Sequence, residues 1–263
     1  MQTLRAVGRL LCAVIHALHG IVIVLLRFPS LGLVERRQKI AWWSARLLTI
    51  LGLRLNLHGR WHEGAKLIVA NHVSWLDIMA IHAVCPHARF VAKAEVRHWP
   101  VIRHLVDCAG TIYIERERKR DALRVVHQVA QALAAGDTVA IFPEGTTGPG
   151  PQLLPFHANL LQAAIAGGAA VQPVLLRFAD AQNAFSPSAA YVGDITLFGS
   201  LWMLASGRGL VVHVTVMPAQ GCEQSDRRLL AQALRAQMAA VLAASVASSV
   251  AGSVAGSVAG SGG

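Results

Sequence analysis

The sequence predicts an α/β fold, a mostly parallel sheet flanked by helices, with an N-terminal two-helix membrane-associated segment. Three observations carry this. From Arg54 onward, short apolar runs of strand length alternate with stretches of helical period. An almost wholly apolar run, Leu10 to Leu26, precedes them. Two of the strand-like runs, Leu67-Ile68-Val69-Ala70 and Thr138-Val139-Ala140-Ile141, break directly into polar turns, as parallel strands do at the end where ligands gather.

The apolar run Leu10 to Leu26 contains His16 and His19 and is bounded by Arg9 and Arg27. It is too apolar for a helix exposed to water, and at roughly 17 residues it sits at the lower limit for spanning a bilayer. A second apolar stretch, Ile40 to Leu53, is too short to span and carries Arg46. Two helices joined around Phe28-Pro29-Ser30-Leu31-Gly32 and embedded in one leaflet fit both stretches, with Trp42 and Trp43 at the head-group level. A single crossing helix is the alternative. Arginine and bulky residues follow the run with no small-x-small site, which argues against a cleaved signal peptide.

Arg54 to His58 and Lys66 to Ala70 are expected as strands, Leu76 to Val84 as a helix and Arg89 to Ala92 as a strand. Thr111 to Ile114 is strand-like. Arg120 to Ala135 is helical, with apolar Leu123, Val126, Ala130 and Leu133, and ends at Gly136-Asp137. Thr138 to Ile141, a helix from His157 to Ala166 closed by Gly167-Gly168, and the strand Val171 to Leu176 complete the alternation. Ser225 to Val246 suits an Ala-rich helix. The repeated Ser-Val-Ala-Gly beyond it has too little bulky apolar surface to offset its ordering entropy. The expected organisation is therefore 1–53 membrane-associated, 54–246 one catalytic-size domain and 247–263 a disordered low-complexity tail.

Charge is placed unevenly. Residues 1–60 hold nine Arg and Lys against one acid, Glu35, and so supply +8 of the formal +10. That skew argues against a general nucleic-acid surface and for an N-terminal region meeting anionic lipid head groups, at about 1 kcal/mol per basic residue near the surface. The four cysteines, Cys12, Cys85, Cys108 and Cys222, form no C-x-x-C pair and suit a reducing cytosol. No P-loop, G-x-G-x-x-G or G-x-S-x-G occurs, so nucleotide hydrolysis, dinucleotide binding and a serine elbow lack support.

The chemistry concentrates in Asn71-His72-Val73-Ser74-Trp75-Leu76-Asp77. A histidine leaving a strand end into a turn sits at a mouth, and Asp77, about one helical turn on, can hold the imidazole by its other nitrogen. His72 is then a candidate general base, with Asp77 fixing its tautomer. Two competing roles are a turn histidine satisfied by carbonyls and an Asp77 serving as helix N-cap, which one carboxylate would not easily combine with holding His72. No third ligand stands nearby, so no metal is expected. Ser74 is expected to hydrogen-bond the turn.

A second motif, Phe142-Pro143-Glu144-Gly145-Thr146-Thr147-Gly148, follows the second strand about 70 residues later. Together, Asn-His-x-Ser-x-x-Asp and Phe-Pro-Glu-Gly-Thr resemble the glycerolipid acyltransferases, whose best-known members are the 1-acylglycerol-3-phosphate acyltransferases. Gly110-Thr111-Ile112-Tyr113-Ile114-Glu115-Arg116 and Val171-Gln172-Pro173-Val174 match two further blocks of that family. The resemblance covers about residues 55 to 215. It departs at Thr147, where many members have arginine, and at Glu115, where many have aspartate.

The resemblance implies acyl transfer from acyl-CoA or acyl-acyl carrier protein to the free hydroxyl of 1-acylglycerol 3-phosphate, giving phosphatidic acid. No cofactor beyond the donor thioester is expected. The implied place is the cytoplasmic face of a bacterial inner membrane, with membrane lipids and acyl carrier protein as partners. His72 and Asp77 are the implied catalytic pair. Glu144, Gly145 and Thr146 are the implied acceptor segment, whose amides could face an oxyanion or phosphate. Arg116, whose guanidinium forms a bidentate fork, and Lys93 are the phosphate candidates. Glu144 cannot bind phosphate itself and would orient a basic residue, contact the acceptor hydroxyl or cap the turn. Acylation of another lyso-lipid such as lyso-ornithine lipid, lipid binding without turnover, and hydrolysis to free fatty acid are the other readings.

Overall fold

The computed structural model describes residues 2–94, 96, 102–114 and 119–259. Helix α1 (Gln2–Val22) continues through a π turn (Ile23–Arg27) and a 3-10 turn (Phe28–Ser30) before helix α2 (Leu33–Ile50). Pro29 sits in the 3-10 turn, and the Glu35 carboxylate accepts the Gly32 N–H to start α2. The N-terminal segment is thus two helices joined where the Phe-Pro-Ser-Leu-Gly stretch predicts.

Strands β1 (Leu53–Gly59) to β7 (Leu210–Val216) form one seven-stranded sheet in the order β1-β7-β6-β2-β5-β3-β4. The intervening strands are β2 (Lys66–Ala70), β3 (Ala88–Lys93), β4 (Ile112–Ile114), β5 (Thr138–Ile141) and β6 (Ala170–Ala179). Every neighbouring pair is parallel except β6 with β7. β1 and β7 therefore run against the rest.

Helices α3 (Leu76–Val84), α4 (Ile102–Cys108), α5 (Lys119–Ala134), α6 (Leu161–Gly167), α7 (Leu197–Ser206) and α8 (Arg227–Ala259) lie between and after the strands. The central strands, buried along almost their whole length, face two cores at once. Ile68 and Ala140 face α2, α3 and α7 with Leu48, Ile81 and Leu204, while Leu67, Val69, Val139 and Ile141 face α5, α6 and α8 with Val129, Leu161 and Leu234.

Three differences from the sequence reading have physical causes. α6 begins at Leu161, not His157, because the His157 N–H donates to the Pro143 carbonyl at 2.8 Å and ties that stretch to the β5 turn. α7 and β7 were not anticipated. β7 buries Leu210, Val212, Val214 and Val216 on alternate residues, a period-two pattern present in the sequence. Helix α8 runs on to Ala259, past Val246 where the helical reading stopped, with alanine, the residue that costs a helix least, at every fourth position from Ala247 among serines, valines and two glycines that cost it more.

Candidate active site

β2 and β5 are neighbours in parallel, with Val69 opposite Ile141. Both strands end at the same edge of the sheet, and that brings together two motifs about 70 residues apart. Asn71 fixes the exit from β2: its amide donates to the Leu176 carbonyl at 2.9 Å and accepts the Leu176 N–H at 2.7 Å. The side chain thereby takes over the ladder where the backbone leaves it.

The His72 ring then turns onto Asp77, with Nδ1 2.7 Å from Oδ2. A carboxylate at Nδ1 places the proton of the neutral ring there and leaves Nε2 as the atom that can take another. The imidazole is 20% exposed and Asp77 fully buried. Asp77 Oδ2 also accepts the Val73 N–H at 2.7 Å and the Ser74 N–H at 2.9 Å. One carboxylate therefore holds both the imidazole and the turn. Asp77 is not the N-cap of α3, a position taken by Trp75. The Asp77 N–H donates to the Ser74 carbonyl at 3.1 Å and closes the turn from the other side.

Ser74 differs from its expected role. Its backbone makes the turn, while its buried hydroxyl has no hydrogen-bond partner among the described residues. Fully buried, it is not placed as a nucleophile. Phe142 is a contributor that sequence reasoning missed: its ring stacks on His72 with centroids 4.0 Å apart and planes at 10°. Phe90 stacks behind it at 5.6 Å. Its place immediately after β5 and before Pro143-Glu144 was the available signal.

Glu144 binds backbone. Its Oε1 accepts the His72 N–H at 3.1 Å and its Oε2 the Leu154 N–H at 3.2 Å. Burial pushes its carboxyl up to about 7, and the nearby Asp77 charge adds to the rise, against the pull of both N–H groups and the imidazole. Gly145 has φ of +71°, which glycine tolerates, and its N–H is turned inward to the Phe142 carbonyl at 3.1 Å. Thr146 is exposed. Thr147 donates its hydroxyl to the Tyr191 carbonyl, and the Tyr191 N–H donates to the Val73 carbonyl at 3.0 Å. The Gly148 N–H closes on the His72 carbonyl at 2.7 Å. Arg116 and the side chain of Lys93 lie outside the described residues. Among the described residues, no cluster of three His, Cys, Asp or Glu could hold a metal ion.

An apolar cavity of about 490 Å³ lies between α1, α2, α3 and α7, within the size range of ligand sites. Trp75, three residues after His72, lines it, and so does Phe90, the outer ring of the Phe142 stack. Phe28, Lys39 and His82 also line it, His82 with its ring edge-on to Phe90 at 5.0 Å. Burial holds His82 down to about 4, so this ring is neutral, bonded through Nε2 to the Ala88 carbonyl at 3.0 Å.

A buried carboxylate orienting a partly exposed imidazole at the mouth of a parallel sheet is an arrangement chemically able to take a proton at Nε2. Comparison with known proteins supplies the reaction. Residues 54–177 match the Acyltransferase family model. The chain is 36% identical over 219 residues to a lyso-ornithine lipid O-acyltransferase of Pseudomonas aeruginosa, covering 80% of this chain and 82% of the relative. It is 38% identical over 191 residues to a 1-acyl-sn-glycerol-3-phosphate acyltransferase of Neisseria meningitidis, covering 72% and 74%. The crystal structure of the 1-acyl-sn-glycerophosphate (LPA) acyltransferase PlsC from Thermotoga maritima shares the fold, with a TM-score of 0.64, 20% identity and coverage of 92% and 96%. The chain belongs to the acyltransferase family.

Proposed function

We propose that the protein moves a fatty acyl group from acyl-CoA or acyl-acyl carrier protein to the free hydroxyl of 1-acylglycerol 3-phosphate, giving phosphatidic acid. The observation that carries the reading is the His72–Asp77 contact of 2.7 Å with Nε2 turned away from it. The acceptor O–H gives its proton to His72 Nε2 as its oxygen attacks the thioester carbonyl. Collapse of the tetrahedral intermediate breaks the C–S bond, and the departing sulfur takes the proton back from the imidazolium. Asp77 stabilises that imidazolium, and a base so placed supplies about 10²- to 10⁴-fold. Glu144 keeps His72 in position through its backbone, and Arg116 and Lys93 are the candidates for the phosphate. The apolar cavity beside Trp75 and Phe90 suits an acyl chain.

The two N-terminal helices hold the site on a membrane surface. Gln2–Ser30 is long and apolar enough to cross a bilayer, but its two faces differ. Ala6, Ala13, His16 and Gly20 are buried, the last two against Trp43 of α2, while Leu4, Leu11, Ile15, Leu18 and Val22 lie exposed along the opposite side. A single apolar stripe along a helix packed on a domain suits a helix lying in the interface. Exposed Arg27, Arg37, Lys39 and Arg46 suit anionic head groups. The cytoplasmic face of a bacterial inner membrane is the corresponding location.

Lyso-ornithine lipid is the second acceptor considered, because Thr147 stands where a phosphate-binding arginine is common and relatives of both kinds match over similar lengths. The test is thiol release from acyl-CoA or acyl-acyl carrier protein by detergent-purified protein with each lyso-lipid or neither, beside His72→Ala. Release that needs the phosphate acceptor and disappears in the variant is the expected result. Release only with lyso-ornithine lipid would move the acceptor. Thiol release without acceptor would point to hydrolysis, and wild-type protein that binds both lipids without releasing thiol from either donor would sink the enzymatic reading.

A further inference from the structure

α7 is packed antiparallel along α1 and presents a face that the protein leaves open. The pairing is fixed at one end by cations. Arg9 donates to the Ala205 and Gly207 carbonyls at 3.0 Å each, and Arg5 to the Ser206 carbonyl at 3.1 Å, so that they satisfy the last carbonyls of α7. Gly52, with φ of +88°, lies so close to the Arg9 guanidinium that a Cβ there would stand 2.3 Å from it. Further along, Leu201 and Phe198 of α7 meet Leu10 and Val14 of α1 around the apolar cavity.

The outward face of α7 is aromatic. Phe198 is 70% exposed and Trp202, four residues on, is 37% exposed. Residues four apart share one helix face, and this face flanks the exposed stripe of α1. Val14 and Phe198 both line the cavity and are exposed, so the cavity reaches the surface between the two helices. On the inner side of α7, Ser200 accepts the Trp75 indole N–H at 3.1 Å. α7 is thus joined to the loop that carries His72.

We propose that α7 is a third membrane-binding element, whose Phe198 and Trp202 enter an anionic phospholipid bilayer beside α1 and flank the opening through which acyl chains pass from the lipid into the cavity. This rests on the reading of α1 as an interfacial helix and adds to it an element that the N-terminal segment does not contain. Bilayer is the occupant that the surface fits. The aromatic pair is continuous with an apolar stripe more than four turns long, and the exposed basic residues of the helix pair complement anionic head groups.

The test is vesicle co-sedimentation of the full chain, without substrate, on phosphatidylethanolamine–phosphatidylglycerol vesicles, comparing wild type with Phe198→Ser/Trp202→Ser. We expect the partition coefficient of the double variant to fall at least about tenfold, equivalent to about 1.4 kcal/mol. An unchanged partition would overturn the proposal while leaving the α1 reading intact, and failure of the wild type to sediment would overturn both. Neither outcome bears on the acyl-transfer reaction, which is assayed separately. Trp202→Phe, which preserves packing, gives a second measurement. Quenching of tryptophan fluorescence by lipids brominated on the acyl chain should be weaker in this variant than in wild type. Equal quenching would place residue 202 outside the bilayer and overturn the proposal independently of any folding defect.

Discussion

Asp77 and Glu144 are both carboxylates, both buried, and both stand at the edge where β2 and β5 end, yet their partners differ in kind. Asp77 gathers the imidazole and two amides of its own turn on a single oxygen. Glu144 divides its oxygens between the amides of two different loops, one of them that of His72. Asp77 is therefore coupled to the protonation of the base, and Glu144 to where the base sits. Substitutions at the two should separate kinetically: loss at Asp77 appears in the chemical step at every pH, whereas loss at Glu144 appears in the geometry and pH dependence of the fold.

The largest effect is expected at the residue that both carboxylates serve. His72→Ala should lower kcat by about 10²- to 10⁴-fold with KM for the lyso-lipid kept within a few-fold. A variant retaining a tenth of wild-type kcat would remove His72 as the base. Asp77→Asn comes next. The amide oxygen can still meet the three N–H groups that converge on Oδ2, but the charge that stabilises the imidazolium and fixes the tautomer is gone, so kcat should drop by about 10²- to 10⁴-fold. Stability should fall by about 1–3 kcal/mol, read as a lowered urea midpoint, because the amide NH2 takes the place of Oδ1, which is buried with no hydrogen-bond partner among the described residues. Full stability with lost activity would mean that the turn does not depend on Asp77.

Glu144→Gln should cost less activity, about tenfold, because one acceptor oxygen remains. Its clearer signature is pH. With the folded carboxyl at about 7 against an ordinary 4.5, the native state holds its proton longer than the unfolded chain. Its stabilising contribution is whole below about 4.5 and is lost as the pH rises through 7, on the order of 3 kcal/mol at about 1.4 kcal/mol per unit. Wild type should accordingly show a lower urea midpoint at pH 8 than at pH 4.5, and the glutamine variant should lose most of that difference. Equal slopes in the two proteins would show that Glu144 does not titrate over this range.

The same contrast separates what the sequence makes legible from what it does not. The His72–Asp77 pair could be read because five residues from strand end to first helical turn leave few geometries. Glu144 could be found as a site residue, but its partners could not, since they are backbone amides whose positions follow from β2 lying next to β5. Strand order is not written in local pattern. β7 carried a clear alternation, from Leu210 to Val216, that could have been read, but its pairing with β1 and its direction against β6 come from tertiary packing. Phe142 lay in plain view within a motif. Its stacking on His72 depended on the turn that follows it. The Ser74 hydroxyl departs from the local bond that a turn serine usually makes, because Asp77 already occupies the amides within its reach.

The smallest expected effect is also the one that bears on acceptor choice. Thr147 lies next to the segment Glu144 anchors, and its hydroxyl bonds the Tyr191 carbonyl, which in turn is held to the His72 loop through Val73. Thr147→Arg gives up that hydrogen bond, about 0.5–1.5 kcal/mol, and places a guanidinium where a phosphate contact is worth about 1.5–3 kcal/mol. If the head group of the acceptor reaches this loop, kcat/KM for 1-acylglycerol 3-phosphate should rise relative to lyso-ornithine lipid by up to about tenfold. The comparison uses a ratio, so a general loosening of the loop cancels between the two acceptors. A ratio that stays constant would put the head group away from residue 147 and leave Arg116 and Lys93 as the sites at which phosphate selectivity is to be sought.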